Sequence, residues 1–212
     1  MPDIKLWYFP GACSLAPHIL LREAGLKFEL VKMSVETLSG EYEAINPKRR
    51  VPALSIDGEI ITENPAVMIA ISNFVPEKQF LGKTPMDLVR IIEWTNWISG
   101  TVHGQAFGGM WRPHRFTSDP EVYDKIKAQG LVTVKDSFKY IEERLTGIHA
   151  VGDAFTIVDV YLLAIFRWGQ RIELPMEKDY PKFTALVSEV SKREAAIAAL
   201  EAEELPPVFK KD

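Results

Sequence analysis

The chain has 212 residues, 47% of them hydrophobic, enough for one large or two modest domains with a true core. Its 25 Lys and Arg against 29 Asp and Glu give a net charge of -4, no electrostatic footprint for a polyanion, so nucleic acid is not expected as a partner. No apolar run approaches the roughly 20 residues of a membrane span, the first residues lack the pattern of a secretory signal, and a lone cysteine, Cys13, excludes an internal disulfide and a multi-cysteine metal site; a cytoplasmic protein without metal or membrane contact is expected.

The first third mixes strand and helix signals, and everything beyond about Pro85 reads as helix. Ile4 to Phe9 is a short apolar run ended by Pro10-Gly11, a strand followed by a turn. Ser14 to Ala24 has Leu15, Ile19 and Leu20 at helical spacing, Pro17 in the first turn and Gly25 at the end, so a helix is predicted. Phe28 to Met33 then reads as a second strand, completing a parallel crossover unit. Val51 to Ile56 and Glu59 to Thr62 flank Asp57-Gly58, a tight-hairpin signature. Asn64 as a cap and Pro65 introduce a helix over 66–74.

The order βαβ then ββα predicts a mixed four-stranded sheet over 1–76, a linker over 77–85 and a helical domain over 86–212, an α/β unit followed by an all-α one. In the second part Leu88, Ile91, Ile92, Thr95, Ile98 and Val102 mark one face of a helix from about Met86 to near Gly104. A second long helix is expected over 121–145, and a nearly apolar one over 156–171 at the domain centre. Two shorter helices follow from Pro181 and Glu194, and the charged stretch Glu201 to Glu204 reads as a solvated helix end.

The run Tyr8-Phe9-Pro10-Gly11-Ala12-Cys13-Ser14-Leu15-Ala16-Pro17-His18 resembles the opening of the active site in bacterial beta-class glutathione transferases. Asn46-Pro47-Lys48 with Val51-Pro52-Ala53-Leu54, Ile61 to Ala66, and Phe155 to Tyr161 resemble three further segments of that family, in order and on suitable elements. The resemblance implies a thioredoxin-like first domain, glutathione as co-substrate, and a twofold homodimer. It also implies a cis Val51-Pro52 bond presenting Val51 to the cysteinyl backbone of glutathione, a γ-glutamyl grip by Glu63 and Asn64, and a histidine, His103, facing the thiol from the second domain.

Cys13 and Ser14 fall where a strand hands over to a helix, a place whose free N–H groups and positive helix end favour a thiolate. Cys13 is thus read as facing the glutathione sulfur, against the alternative of a small buried hydrophobe. The fourth residue of the motif is Ala16, so no resolving thiol exists and a mixed disulfide with glutathione can persist. Tyr8 and Ser14 are further candidates for serving the sulfur, against a plain strand tyrosine and a plain helix cap. Pro52 has the alternative of an ordinary edge-strand proline, Asn64 of a cap, and His103 of a structural helix residue. His103 shares a predicted face with Asn96 and Gly100.

Two lysines that the family carries are replaced by Gly104 and Leu38, and Arg50, Arg112 or Lys48 are candidates to take their place. Thr156 to Asp159 reads as a capping box with a folding role. Phe107, Trp111, Phe116 and Trp168 are expected to line a pocket for a hydrophobic electrophile, although aromatic residues at helical spacing are more often core. Three functions follow: conjugation of glutathione to that electrophile, thiol-disulfide or reductive chemistry through Cys13, and a non-catalytic glutathione-binding module, which the missing lysines favour a little.

Overall fold

The computed structural model describes residues 2–209. Strands β1 (Ile4–Tyr8), β2 (Glu29–Lys32), β3 (Ala53–Ile56) and β4 (Glu59–Thr62) form one sheet in the order β2-β1-β3-β4. β1 runs parallel to β2, with Trp7 opposite Val31, and antiparallel to β3, with Leu6 opposite Leu54, so this is the mixed thioredoxin-like sheet that the βαβ-ββα order predicted. Alternation along β1 sorts its side chains: Ile4, Leu6 and Tyr8 enter the main core, while Trp7 joins Met33, Tyr42 and Ala53 in a second cluster. The β3–β4 hairpin turns at Asp57 and Gly58, both at positive φ (51° and 89°), as the Asp-Gly pair requires.

Helices α1 (Leu15–Glu23), α2 (Tyr42–Ile45) and α3 (Asn64–Ser72) accompany the sheet. Asn64 is the first residue of α3 and Glu63, at φ 72°, is its cap position, one residue earlier than Asn64-Pro65 suggested. α4 (Pro85–Trp97) starts on a capping box, in which Thr84 Oγ1 accepts from the Asp87 N–H at 3.1 Å and Asp87 returns the contact to the Thr84 N–H at 2.9 Å. From Ile98 to Phe107 the chain is wound as a π-helix before a last α turn, α5 (Gly108–Trp111). The predicted end near Gly104 is therefore overrun, and the face changes: His103 enters a cleft between the sheet and the helices, whereas Asn96 and Gly100 are exposed. The i to i+5 pairing of a π turn moves side chains off the three-and-four spacing that had grouped these residues.

α6 (Tyr123–Arg144) presses against this segment. A Cβ at Gly130 would lie 2.7 Å from Met110 N and 2.8 Å from Ala106 O, so glycine there is what permits the approach. α7 (Ile157–Arg171) buries twelve of its fifteen residues, which makes it the central helix expected from its nearly apolar sequence. Each large side chain of this helix contributes about 1.5–3 kcal/mol by burial. Its capping box is present, and Asp159 also accepts from the Ala150 N–H at 2.8 Å, tying the preceding loop to the helix start. α8 (Met176–Asp179), α9 (Pro181–Ser191) and α10 (Glu194–Ala202) complete the chain, with α10 against α1.

Candidate active site

The C-terminal end of β1, the start of α1, the turn before β3 and the start of α3 open onto one cleft of about 790 Å³, walled on the far side by the π-helix, α5 and α7. The loop Phe9 to Cys13 forms its floor. Gly11, at φ 71°, holds this loop to the helical domain on both sides of its peptide units. Its N–H donates to Glu203 Oε2 at 2.9 Å, and its carbonyl accepts from Trp168 Nε1 at 2.9 Å. Glu203 Oε1 in turn accepts from His18 Nδ1 at 2.9 Å, and Arg22 Nε donates to His18 Nε2 at 3.0 Å, which assigns the proton of a neutral imidazole to Nδ1.

This corrects the reading of Glu201 to Glu204 as a solvated end at one residue: Glu201, Ala202 and Glu204 are exposed, but Glu203 is 1% exposed and its partner His18 fully buried. The missed signal is periodic: Ala196, Ala199, Leu200 and Glu203 follow the i, i+3, i+4, i+7 spacing of one buried face.

Cys13 is 5% exposed and lines the cleft, and its Sγ donates to Val51 O at 3.6 Å. Burial pushes the thiol up to about 12, outweighing the opposite effects of Arg112 and of the Cys13 and Ser14 backbone N–H groups. For Cys13 itself desolvation exceeds the helix-end field, so of the two thiolates that the helix start would favour, its own is disfavoured. The N–H groups of Cys13 and Ser14 have no backbone or side-chain oxygen partner among the described residues and remain able to receive a sulfur anion.

The Ser14 side chain is fully buried and engaged elsewhere. Its hydroxyl accepts from the Phe9 N–H at 3.2 Å and donates to the Phe9 carbonyl at 3.3 Å, away from the cleft. Tyr8 does not reach the cleft either. It shares the face of β1 that packs on α1, its ring lies 5.9 Å from His18, and burial with the nearby Glu203 pushes its phenol up.

The Val51-Pro52 bond is cis, and Arg50, Val51 and Pro52 all border the cleft. At the α3 end, Glu63 contacts Lys48 Nζ, which also donates to Thr62 Oγ1 at 2.7 Å. Asn64 is buried, donates from Nδ2 to the Cys13 carbonyl at 3.2 Å, and leaves Oδ1 without a partner among the described residues. The Tyr161 hydroxyl on α7, likewise without a partner among the described residues, borders the same cleft near Asn64, Ser99 and Cys13. Sequence reasoning passed over Tyr161 because every neighbour on α7 is apolar core.

His103 stacks edge-on against Trp168 at 4.8 Å between ring centres. Burial, then Arg112, Arg50 and Arg115, lowers it to about 4, so it is a neutral imidazole at physiological pH. Trp111, Phe116 and Trp168 line the cleft, while Phe107 lies fully buried behind them, 4.8 Å from Trp111 and 5.2 Å from Trp168. Among the described residues no group of three or more His, Cys, Asp or Glu is gathered as for a metal ion.

Residues 2–70 match the family model "Glutathione S-transferase, N-terminal domain", and residues 110–194 match "Glutathione S-transferase, C-terminal domain". The chain is 35% identical over 210 residues to glutathione S-transferase GstA of Escherichia coli O157:H7, covering 95% of this chain and all of that one. Among solved structures, a glutathione transferase homologue from Sulfitobacter with bound glutathione superposes with a TM-score of 0.90 at 26% identity, covering 97% of this chain and 100% of the other. The bacterial beta-class glutathione S-transferase of Sphingomonas chungbukensis does so at 0.84 and 32%, over 95% and 100%. With both domain families matched in order and a relative 35% identical along nearly the whole chain, the chain belongs to the glutathione S-transferases.

Proposed function

We propose that the protein binds glutathione across the floor of the cleft and conjugates it, through its sulfur, to an aromatic or otherwise hydrophobic electrophile held against Trp111, Phe116 and Trp168. The observation that carries this reading is the pair of N–H groups at Cys13 and Ser14, which have no oxygen partner among the described residues and act on the sulfur position of Cys13, beside a cleft whose other wall is aromatic. They stabilise the glutathione thiolate by hydrogen bonding and by the field of α1, and the bound geometry brings the thiolate to the electrophile. The cysteinyl backbone of glutathione pairs with Val51, and the γ-glutamyl end lies at α3, where Asn64 Oδ1 awaits a donor and Glu63 supplies a carboxylate for the ammonium group. Arg50 is positioned for a ligand carboxylate. His103 acts as a neutral hydrogen-bonding group beside the sulfur.

Cys13 serves this reading as a weak donor and a wall. A thiol pushed up to about 12 leaves a thiolate fraction of about 10⁻⁵ at pH 7, which disfavours attack by Cys13 itself. The chain works as a cytoplasmic homodimer in this reading, and exposed Met86, Val89 and Ile92 on α4 supply an apolar stripe for a second copy. Retention on immobilised glutathione, release by free glutathione, and enzymatic formation of the thioether from 1-chloro-2,4-dinitrobenzene test it. Retention without turnover would favour a binding module, and failure of both would end the proposal.

A further inference from the structure

The charge of the cleft is opposite to that of the chain. Against a net charge of -4, six Lys and Arg side chains line it and one carboxylate, Glu63. Lys48 is engaged with Glu63 and Arg49 with Glu43, at 3.6 Å. The other four, Arg50, Arg112, Arg115 and Arg171, have no carboxylate partner among the described residues. Surface arginines without partners are common, but these converge. Arg112 and Arg50 both bear on Arg115 and hold its guanidinium down to about 10, after the effect of burial, and the same three groups act on His103. Like charges kept this close without a counter-ion disfavour the empty protein and are relieved by an anion.

The three that belong to the helical half are interleaved with the aromatic wall. Arg112 follows Trp111, Arg115 precedes Phe116, and the Arg171 guanidinium lies 5.6 Å from the Trp111 ring centre. A ring stacked on this wall shares its side of the cleft with these guanidinium groups, whereas in the proposed reading glutathione, extended from Val51 to Asn64, takes the opposite floor. Arginine's planar fork matches a carboxylate with two parallel hydrogen bonds.

Resting on the conjugation reading, we propose that the second substrate is an aromatic electrophile bearing a carboxylate, which Arg112 and Arg115 bind, with Arg171 in support. In the reaction the glutathione thiolate attacks the ring carbon that carries the leaving group. A carbon–sulfur bond forms, the carbon–halogen bond breaks, halide departs with the electron pair, and the thiol proton passes to water.

The test compares 4-chloro-3,5-dinitrobenzoate with its methyl ester, each rate divided by that of the uncatalysed reaction with glutathione. We expect the acceleration for the acid to exceed that for the ester at least tenfold. Arg112→Gln with Arg115→Gln should bring the ratio close to one, and raised ionic strength should lower it in the unaltered protein. A ratio of one or below in the unaltered protein overturns the inference. So does a ratio that survives the double substitution while KM for glutathione rises, which would assign these arginines to glutathione. Quenching of tryptophan fluorescence by 3,5-dinitrobenzoate and by its methyl ester reads the same preference without turnover. A protein that binds the acid tenfold more tightly yet conjugates neither compound loses the conjugation reading and keeps the subsite; one that conjugates the ester with no preference for the acid does the reverse.

Discussion

Replacing Glu203 by Gln tests whether the active-site loop is held from the far end of the chain. Both carboxylate oxygens of Glu203 accept, one from the Gly11 N–H and one from His18 Nδ1, each at 2.9 Å, in a site 1% exposed. Glutamine has nearly the same shape but one acceptor and one donor group. If its NH₂ faces Gly11, two donors oppose each other there. If it faces His18, the imidazole must shift its proton to Nε2, which then opposes Arg22 Nε at 3.0 Å. Either arrangement loses one hydrogen bond to a charged group, about 1.5–3 kcal/mol, and leaves a buried donor unsatisfied, so a cost of about 3 kcal/mol is expected. At about 2–4 °C per kcal/mol for a chain of this size, Tm falls by about 6–12 °C. Thermal unfolding by circular dichroism reads this directly, and weaker binding of glutathione should accompany it because Gly11 is two residues from Cys13. A Tm within about 1 °C of the unaltered protein would refute the reasoning, since at this size that shift is below about 0.5 kcal/mol.

Cys13→Ala should slow conjugation less than about tenfold, because the two N–H groups that receive the thiolate belong to the backbone, and alkylation of Cys13 at neutral pH should be far slower than that of free glutathione; rapid stoichiometric alkylation, followed by intact mass, would count against both. His103, held near 4 against about 6.5 unfolded, binds its proton more readily in the unfolded chain, so stability should rise by up to about 3 kcal/mol from pH 4 to pH 6.5 and level off above. Urea unfolding across that range should show the rise, and His103→Gln should flatten it. Tyr161→Phe should leave the ligand-free protein as stable or up to about 1 kcal/mol more so, because the hydroxyl is buried with no partner among the described residues; a loss above about 1 kcal/mol in chemical denaturation would mean that the hydroxyl is satisfied after all.

Much of the architecture was legible because it is local. The Asp57-Gly58 hairpin, the Pro17 and Pro65 helix starts and the Thr156–Asp159 box each rest on a few adjacent residues with one low-energy solution. The position of the floor at Cys13, Val51 and Asn64 followed from the same signals together with the family resemblance. What eluded the sequence is long-range or depends on burial. Strand alternation places Tyr8 with Leu6 on the α1 face, a deduction open to anyone who also knows which face is covered. The winding of Ile98–Phe107 has no local marker, since α and π turns draw on the same residues, and it decides that His103 rather than Asn96 faces the cleft. The depth of Cys13, which makes it a thiol, comes from elements distant in the chain.

The hold on Gly11 bears on how such chains diversify. Its two partners, Trp168 and Glu203, lie more than 150 residues along the sequence, and Glu203 is completed by His18 and Arg22 of the first domain. A chimera that joins this first domain to the helical domain of another protein therefore keeps the Gly11 contact only where a glutamate stands opposite His18. Where it does not, the loop that carries Cys13 is expected to be held less firmly, even though each half retains its own core.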